Sequence, residues 1–305
     1  MSKNASFSNI LLTTWEEYRK AAKRSRQLKF QVNKYRWINF ALLILGAIFG
    51  VLANQSVDGN ATSELPKIFA LLSTISLGVA AFLSSHVLDS SYEKQWIIAR
   101  SQAEAFKSEA YIYLVKAPPY ESQNRDQQLL KKLKEILGED AQPVQLSQEE
   151  KSEKRPLYWL SMEDYLQERV KEQIETYYEK KAIEYKNLLR WLQTIGFLLG
   201  LIGAVLGAVS VVLTDMTRLA AWVAVIGTIS GTLTAFTFAG RYKYLITSYE
   251  LTARRLKWIM HEWDLLSKED KQNQFGAFVR KFEDTISIEN KSWVAEWHNE
   301  AEDAT

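Results

Sequence analysis

The sequence contains one apolar hairpin twice, at a constant offset of 154 residues. Without a gap, Arg36-Trp37 aligns with Arg190-Trp191, and Thr74-Ile75-Ser76 aligns with Thr228-Ile229-Ser230. The same spacing holds across two apolar segments and the loop between them, which chance does not readily produce. We therefore predict two copies of one structural unit, with the function at the contact between them.

Each copy holds two segments that are long and apolar enough to cross a bilayer, which requires about 20 residues for a hydrocarbon core of about 30 Å. The overall mean hydropathy of -0.21 hides these segments, because the rest of the chain is highly charged. We predict an all-α integral membrane protein with two repeated transmembrane hairpins and long cytosolic helical extensions. The four predicted spans are residues 37–53, 68–88, 192–213 and 219–239.

The distribution of basic residues predicts how the hairpins are oriented. The segment before the first span is rich in Lys and Arg, whereas the loop 54–66 holds Asp58 and Glu64 and no base. Since basic residues favour the cytoplasmic side, we expect both termini in the cytoplasm. The net charge of +2 is too small to indicate a nucleic-acid partner.

Helix start and stop signals predict the domain organisation. Ser161 followed by Asp164 is typical of a helix start, and Thr14 followed by Glu17 is a capping-box pattern. Gly240 is a candidate hinge after the fourth span. We predict a first hairpin unit at residues 1–120, a cytosolic linker at 121–160 and a second hairpin unit at 161–305.

Small residues recur along the first and third spans, where they allow two helix backbones to approach closely in lipid. Packing within each hairpin is the favoured interpretation, and an interface between subunits is the alternative. The predicted packing residues are Gly46, Gly50, Gly196, Gly200, Gly203 and Gly207.

Hydroxyl residues recur along the second and fourth spans. A hydroxyl that faces a water-filled lumen can solvate a passing ion, so these spans are the better candidates for lining a pore; ordinary helix packing is the alternative. No acid or base lies well inside a span, which argues against a proton pump or a voltage sensor. The predicted pore-lining residues are Thr74, Ser76, Thr228, Ser230, Thr232, Thr234 and Thr237.

Arg100 and Arg254 occupy equivalent positions after the two hairpins, and both lie near acids. Arg100 and Glu104 can form an i, i+4 ion pair on a helix. The favoured interpretation is that these charges tie neighbouring helices together. The alternative is that the repeated arginines bind an anionic ligand such as a nucleotide.

Motifs for catalysis are absent from the sequence. It has no GxxxxGK[ST] phosphate loop and no HExxH, and its three histidines are scattered. We expect neither an enzyme, a cofactor nor a metal site.

Several short patterns resemble those of SLATT-type two-transmembrane effectors. Tyr165-Leu166-Gln167-Glu168-Arg169 precedes the second hairpin, and a run from Trp96 to Tyr120 follows the first. The family associates with nucleotide-generating and nucleotide-sensing partners in bacteria, so the resemblance implies a pore-forming effector in a bacterial inner or plasma membrane that responds to nucleotide signals. Further matching residues are Gln173, Tyr177-Tyr178, Lys181-Ala182, Phe278, Phe282-Glu283, Ile286, Glu289 and Trp293.

Together these patterns favour a homo-oligomer in the lipid bilayer that encloses an ion-conducting pore. A membrane-anchored scaffold that binds a cytosolic partner through its helical extensions is the main alternative. A small-molecule transporter is less well supported, because the spans have neither a break nor a charge at mid-membrane.

Overall fold

The computed structural model describes residues 8–57, 64–87, 90–138, 159–212 and 217–303, and within these ranges all regular structure is helical. Asp58 and residues 139–158 of the predicted linker lie outside them. The α-helices are α1 (Asn9–Gln55), α2 (Leu65–Phe82), α3 (Ser90–Leu114), α4 (Arg125–Leu137), α5 (Met162–Tyr165), α6 (Lys180–Val212), α7 (Thr217–Ala239), α8 (Tyr242–Asp264) and α9 (Lys268–Asp303). Two π-helical segments, Leu83–Val87 and Leu166–Glu179, follow α2 and α5.

Four helices are long and apolar enough to cross a membrane, as the sequence predicts. They are the helix Asn9–Gln55, the helix Leu65–His86, the continuous helix Met162–Val212 and the segment Leu219–Asp264, which comprises α7 and α8. Each contains one of the four apolar segments. The fold class of an all-α membrane protein is thereby confirmed.

One predicted helix start is confirmed and another is wrong. Ser161 caps α5, because its hydroxyl accepts from the Asp164 N–H at 3.1 Å while the Asp164 carboxylate accepts from the Ser161 N–H at 3.2 Å. Thr14 instead lies inside α1, and its hydroxyl donates to the Ile10 carbonyl at 2.8 Å. Threonine can bond in this way to the preceding turn, so a capping-box pattern alone does not mark a helix end.

The π-helical segment Leu166–Glu179 matches the spacing of its buried residues. Within it Arg169, Val170, Gln173, Ile174 and Tyr178 are buried, so buried positions recur every four or five residues. An α-helix with 3.6 residues per turn would carry such a series around its axis. The wider turn of i→i+5 hydrogen bonding keeps the series on one face.

The helices form two compact units, and each draws on both halves of the sequence. The first, here named the extramembrane unit, comprises Met1–Lys29, Glu93–Ala182 and Thr247–Thr305. Its core is rich in aromatic rings around Tyr165, which is fully buried. The ring centroid of Tyr165 lies 6.1 Å from that of Phe275 and 6.3 Å from that of Phe282.

The second, here named the membrane unit, comprises Phe30–Tyr92 and Ile183–Ile246 and contains the four apolar segments. Leu192, Leu233 and Phe236 form a buried cluster in it. The helix path breaks between α7 and α8, at the predicted hinge, where Arg241 has a φ of 48°.

Candidate functional site

A buried arginine–glutamate pair lies in the core of the extramembrane unit. Arg169 is 0% exposed, and its Nε and Nη2 atoms each donate to a different oxygen of Glu283 at 2.8 Å. Tyr165 donates its hydroxyl to Glu283 Oε1 at 2.9 Å. The guanidinium also lies over the Tyr111 ring, 4.9 Å from its centroid. Two parallel hydrogen bonds and two aromatic neighbours fix the orientation of the Arg169 side chain.

A second buried pair joins Arg100 on α3 to Glu289 on α9, with 3.3 Å between Nη2 and Oε1. Arg100 Nη1 donates to the Tyr249 hydroxyl at 3.2 Å, and the Tyr178 hydroxyl donates to Glu289 Oε2 at 3.4 Å. Burial raises the pKa of the Glu289 carboxyl above its ordinary value, and Arg100 opposes that rise. The pair therefore connects α3, the π-helical segment, α8 and α9.

Glu104 connects the surroundings of the two pairs. It lies one helical turn after Arg100 on α3, and its Oε2 atom is 3.9 Å from Nη2 of Arg169. The sequence predicted Arg100 and Glu104 as a pair; the structure places Arg100 against Glu289 and Glu104 close to Arg169. The buried carboxylates accept hydrogen bonds from arginine and tyrosine, an arrangement that suits a structural clamp joining several helices.

Sequence reasoning missed most of this network. Arg169, Glu283 and Glu289 belong to the patterns that carry the resemblance, but their spacing gives no sign that they pair, since the partners are more than 100 residues apart. The available signal was the place of Arg169 beside Val170 and Ile174 on one helical face, because a buried arginine requires a buried acid.

Arg254, the repeat equivalent of Arg100, is exposed on α8. The two arginines thus occupy different environments despite their matching sequence positions. A cavity of about 250 Å³ lies elsewhere in the extramembrane unit, between α3, α4 and α9. Its charged lining residues are Glu104, Glu109, Lys132, Glu135, Arg280 and Asp284, so acids outnumber bases. Among the residues that the structure describes, no three potential metal ligands come together.

The predicted packing glycines fall into two groups. A Cβ atom on Gly46 would lie 2.6 Å from Leu77 Cδ2, and one on Gly203 would lie 3.2 Å from Ile226 Cγ2. Gly50 and Gly196 likewise have near neighbours on the second helix of their own hairpins, Ser73 and Leu233. Around Gly200 and Gly207, by contrast, the described chain has no such atom within 4 Å. Four of the six glycines therefore pack within a hairpin, and two face outward.

All five predicted pore-lining threonines donate their hydroxyl to the carbonyl four residues earlier. This holds for Thr74 at 2.9 Å and Thr228 at 3.0 Å, which are repeat equivalents and both exposed. Ser76 instead is 8% exposed and lies inside the membrane unit, while Ser230 is half-buried. The same helical bond is made by Thr232, Thr234 and Thr237.

The exposed faces of α2 and α7 differ in side-chain size. The outer face of α2 carries large apolar side chains such as Leu71, Ile75 and Phe82, which are 52–60% exposed. Among the described side chains of α7, Phe238 is the one large apolar residue that is exposed. The other exposed residues of α7 are small, namely Ala220, Ala224, Gly227, Thr228, Gly231, Thr234, Ala235 and Ala239.

Comparison with known proteins assigns a family description to each half of the chain. Residues 165–293 match the model for SMODS and SLOG-associating 2TM effector domain 1. Residues 14–128 match a model described as a protein of unknown function, DUF4231. Neither the comparison with curated proteins nor that with solved structures found a match.

The first of these descriptions agrees with the resemblance stated above. An effector domain with two transmembrane helices implies a membrane-associated effector role. The four apolar helices agree with that role. The match over residues 165–293 supports a SLATT-type family for this part of the chain, that of the SMODS and SLOG-associating 2TM effector domains.

Proposed function

We propose that several copies of this chain assemble around an ion-conducting pore lined by α7. The observation that carries the proposal is the outer face of α7, which consists of small and hydroxyl residues except for Phe238 near its end. Small residues are enriched where transmembrane helices contact one another, because they allow close approach. A face of this kind suits a neighbouring subunit or a lumen better than lipid.

The threonines on this face can still solvate an ion. A hydroxyl that donates to its own helix keeps oxygen lone pairs that accept from water or coordinate a cation. Thr228 and Thr234 are both exposed and both make that helical bond. The hydroxyl oxygens would replace part of the ion's hydration shell along the pore.

Oligomerisation is part of the proposal. The membrane unit buries Leu192, Leu233 and Phe236 against one another, so apolar side chains close this part of its interior. An aqueous path must then run between copies of the chain and not through one of them. We place both termini in the cytoplasm of a bacterial cell and assign the chain no catalytic activity.

Gating through the extramembrane unit is the second part of the proposal. The helix α1 contributes its first residues to the extramembrane unit and its later ones to the membrane unit, so a movement in one can be passed along the helix to the other. A ligand that binds the extramembrane unit would bias this movement. Arg254 is an exposed donor for an anionic ligand, including a nucleotide.

The experiment compares two repeat-equivalent substitutions in purified protein reconstituted into liposomes. Thr228→Leu adds bulk to the small face of α7 and should lower ion efflux several-fold. Thr74→Leu is the matched control, because Thr74 makes the same helical bond but lies among the large apolar residues of α2. Its efflux should equal that of the wild-type chain. Absence of efflux from wild-type liposomes, with and without nucleotide, would reject the pore.

A scaffold role has one observation in its favour. In the extramembrane unit, Leu251 and Trp258 on α8 and Leu265 directly after its end stand seven residues apart and are 44%, 63% and 87% exposed. This spacing is typical of a helix that packs against a partner helix. If Trp258→Ser abolished effector activity in cells while liposome efflux stayed unchanged, partner binding would be the better description.

A further inference from the structure

Basic residues gather at the open ends of the two hairpins, opposite the loops that connect their helices. The described residues of the membrane unit at this level include one acid, Glu184, and a larger number of bases. The bases come from α1, from α6 and from the junction of α7 with α8. They are Lys34, Arg36, Lys186, Arg190, Arg241 and Lys243.

A cluster of aromatic rings packs these three parts of the chain against one another. The Trp37 ring lies 4.6 Å from the Phe236 ring, centroid to centroid, and the Phe236 ring lies 6.5 Å from the Tyr242 ring. Tyr185 completes the cluster at 6.0 Å from Tyr242. Except for Phe236, each of these rings has a basic neighbour in the sequence: Arg36-Trp37, Tyr185-Lys186 and Arg241-Tyr242-Lys243. Packing of the rings therefore brings together backbone segments that carry cations and that are distant in the sequence.

Arg241 occupies this place at a conformational cost. Its φ of 48° lies in the left-handed region, which residues with a Cβ atom rarely adopt. Its guanidinium lies 5.4 Å from the centroid of the Tyr244 ring. A strained backbone at a residue that keeps a charged side chain indicates that the side chain has a use at this position.

From these observations we infer that Arg36, Lys186, Arg241 and Lys243 bind the phosphate headgroup of an anionic phospholipid, in the leaflet that the open ends of the hairpins reach. The chemistry of the surface agrees with this ligand, because arginine and lysine bind phosphate and aromatic side chains prefer the headgroup level of a bilayer. Clusters of basic residues directly beside transmembrane helices bind anionic lipids for the same reason. A general preference for basic residues on one side of the membrane explains how many there are. It does not explain why they lie around one cluster of aromatic rings.

Two glycine substitutions test the inference in the purified full-length chain. Arg241→Gly relieves the left-handed backbone and removes the cation. Lys116→Gly is the matched control, because Lys116 also has a positive φ, of 56°, but belongs to the extramembrane unit. The measurement is the thermal midpoint in detergent with added dioleoyl phosphatidylglycerol, with added dioleoyl phosphatidylcholine, and with inorganic phosphate alone.

The anionic lipid should raise the midpoint of the wild-type chain and of Lys116→Gly by the same amount, and phosphatidylcholine should raise it less. In Arg241→Gly the shift caused by phosphatidylglycerol should fall by half or more. Equal shifts with the two lipids, or a full shift in Arg241→Gly, would overturn the inference. So would a full shift with inorganic phosphate alone, since the site would then bind free phosphate.

Discussion

At the scale of single residues, the extramembrane unit depends on charges that are buried and paired. Arg169 and Glu283 both have side chains that are 0% exposed, and two hydrogen bonds join them. Removing one partner from such a pair leaves an uncompensated charge in an apolar interior. Replacing both partners together with apolar residues avoids that penalty.

We therefore expect Arg169→Met to lower the free energy of unfolding by about 3–5 kcal/mol. The double variant Arg169→Met/Glu283→Leu should lose less than Arg169→Met alone. Denaturant unfolding of the detergent-solubilised chain measures both values. Lys281 and Glu262 form an exposed pair that serves as control, and Lys281→Met should cost no more than about 1 kcal/mol. A double variant that is less stable than the single one would show that the pair itself stabilises the fold.

At the scale of helices, the sequence predicted which helices exist and of which type they are better than it predicted how they pack. The four spans, the start at Ser161 and the break beside Gly240 follow from apolar length, capping chemistry and glycine, which act locally. The helix start predicted at Thr14 was wrong because a threonine hydroxyl can either cap a helix or bond to a carbonyl inside one. The π-helical segment was missed because its buried residues are recognised only when their partners from other helices are known.

The paired repeats provide a test of helix packing within each hairpin. Gly46 and Gly200 are equivalent positions, but a Cβ atom would contact Leu77 at the first and no described neighbour within 4 Å at the second. Gly46→Ala should lower the thermal midpoint, because Leu77 must move in a packed interface. Gly200→Ala should leave it unchanged or raise it, since alanine favours the helix by about 1 kcal/mol. Equal effects at both positions would contradict the different packing of the two hairpins.

At the scale of the whole molecule, the repeat predicts two copies but not how they share their cores. Each of the two units contains segments from both halves of the sequence. Arg100 in the first half, for example, pairs with Glu289 and bonds Tyr249 in the second. Spacing along the chain cannot reveal such long-range partners, and for this reason the sequence placed Arg100 with its neighbour Glu104.

Because the halves share one core, two separate chains covering residues 1–138 and 159–305 should assemble when they are produced together. Affinity purification of one tagged half should recover the other in equal amount. Glu289→Leu in the second half should reduce the recovered amount, since Arg100 would lose its buried partner. If the halves insert into the membrane but do not copurify, their shared core contributes little to assembly.

The contrast between buried Arg100 and exposed Arg254 limits how the duplicated halves can be exchanged. A protein built from two identical first halves would bury two arginines and lack the glutamate that neutralises either of them. A protein built from two identical second halves would contain Glu289 twice and would lack Arg100, from which Glu289 accepts a hydrogen bond. Arg100 and Glu289 are thus reciprocal counterions drawn from the two halves, and neither half used twice could supply both.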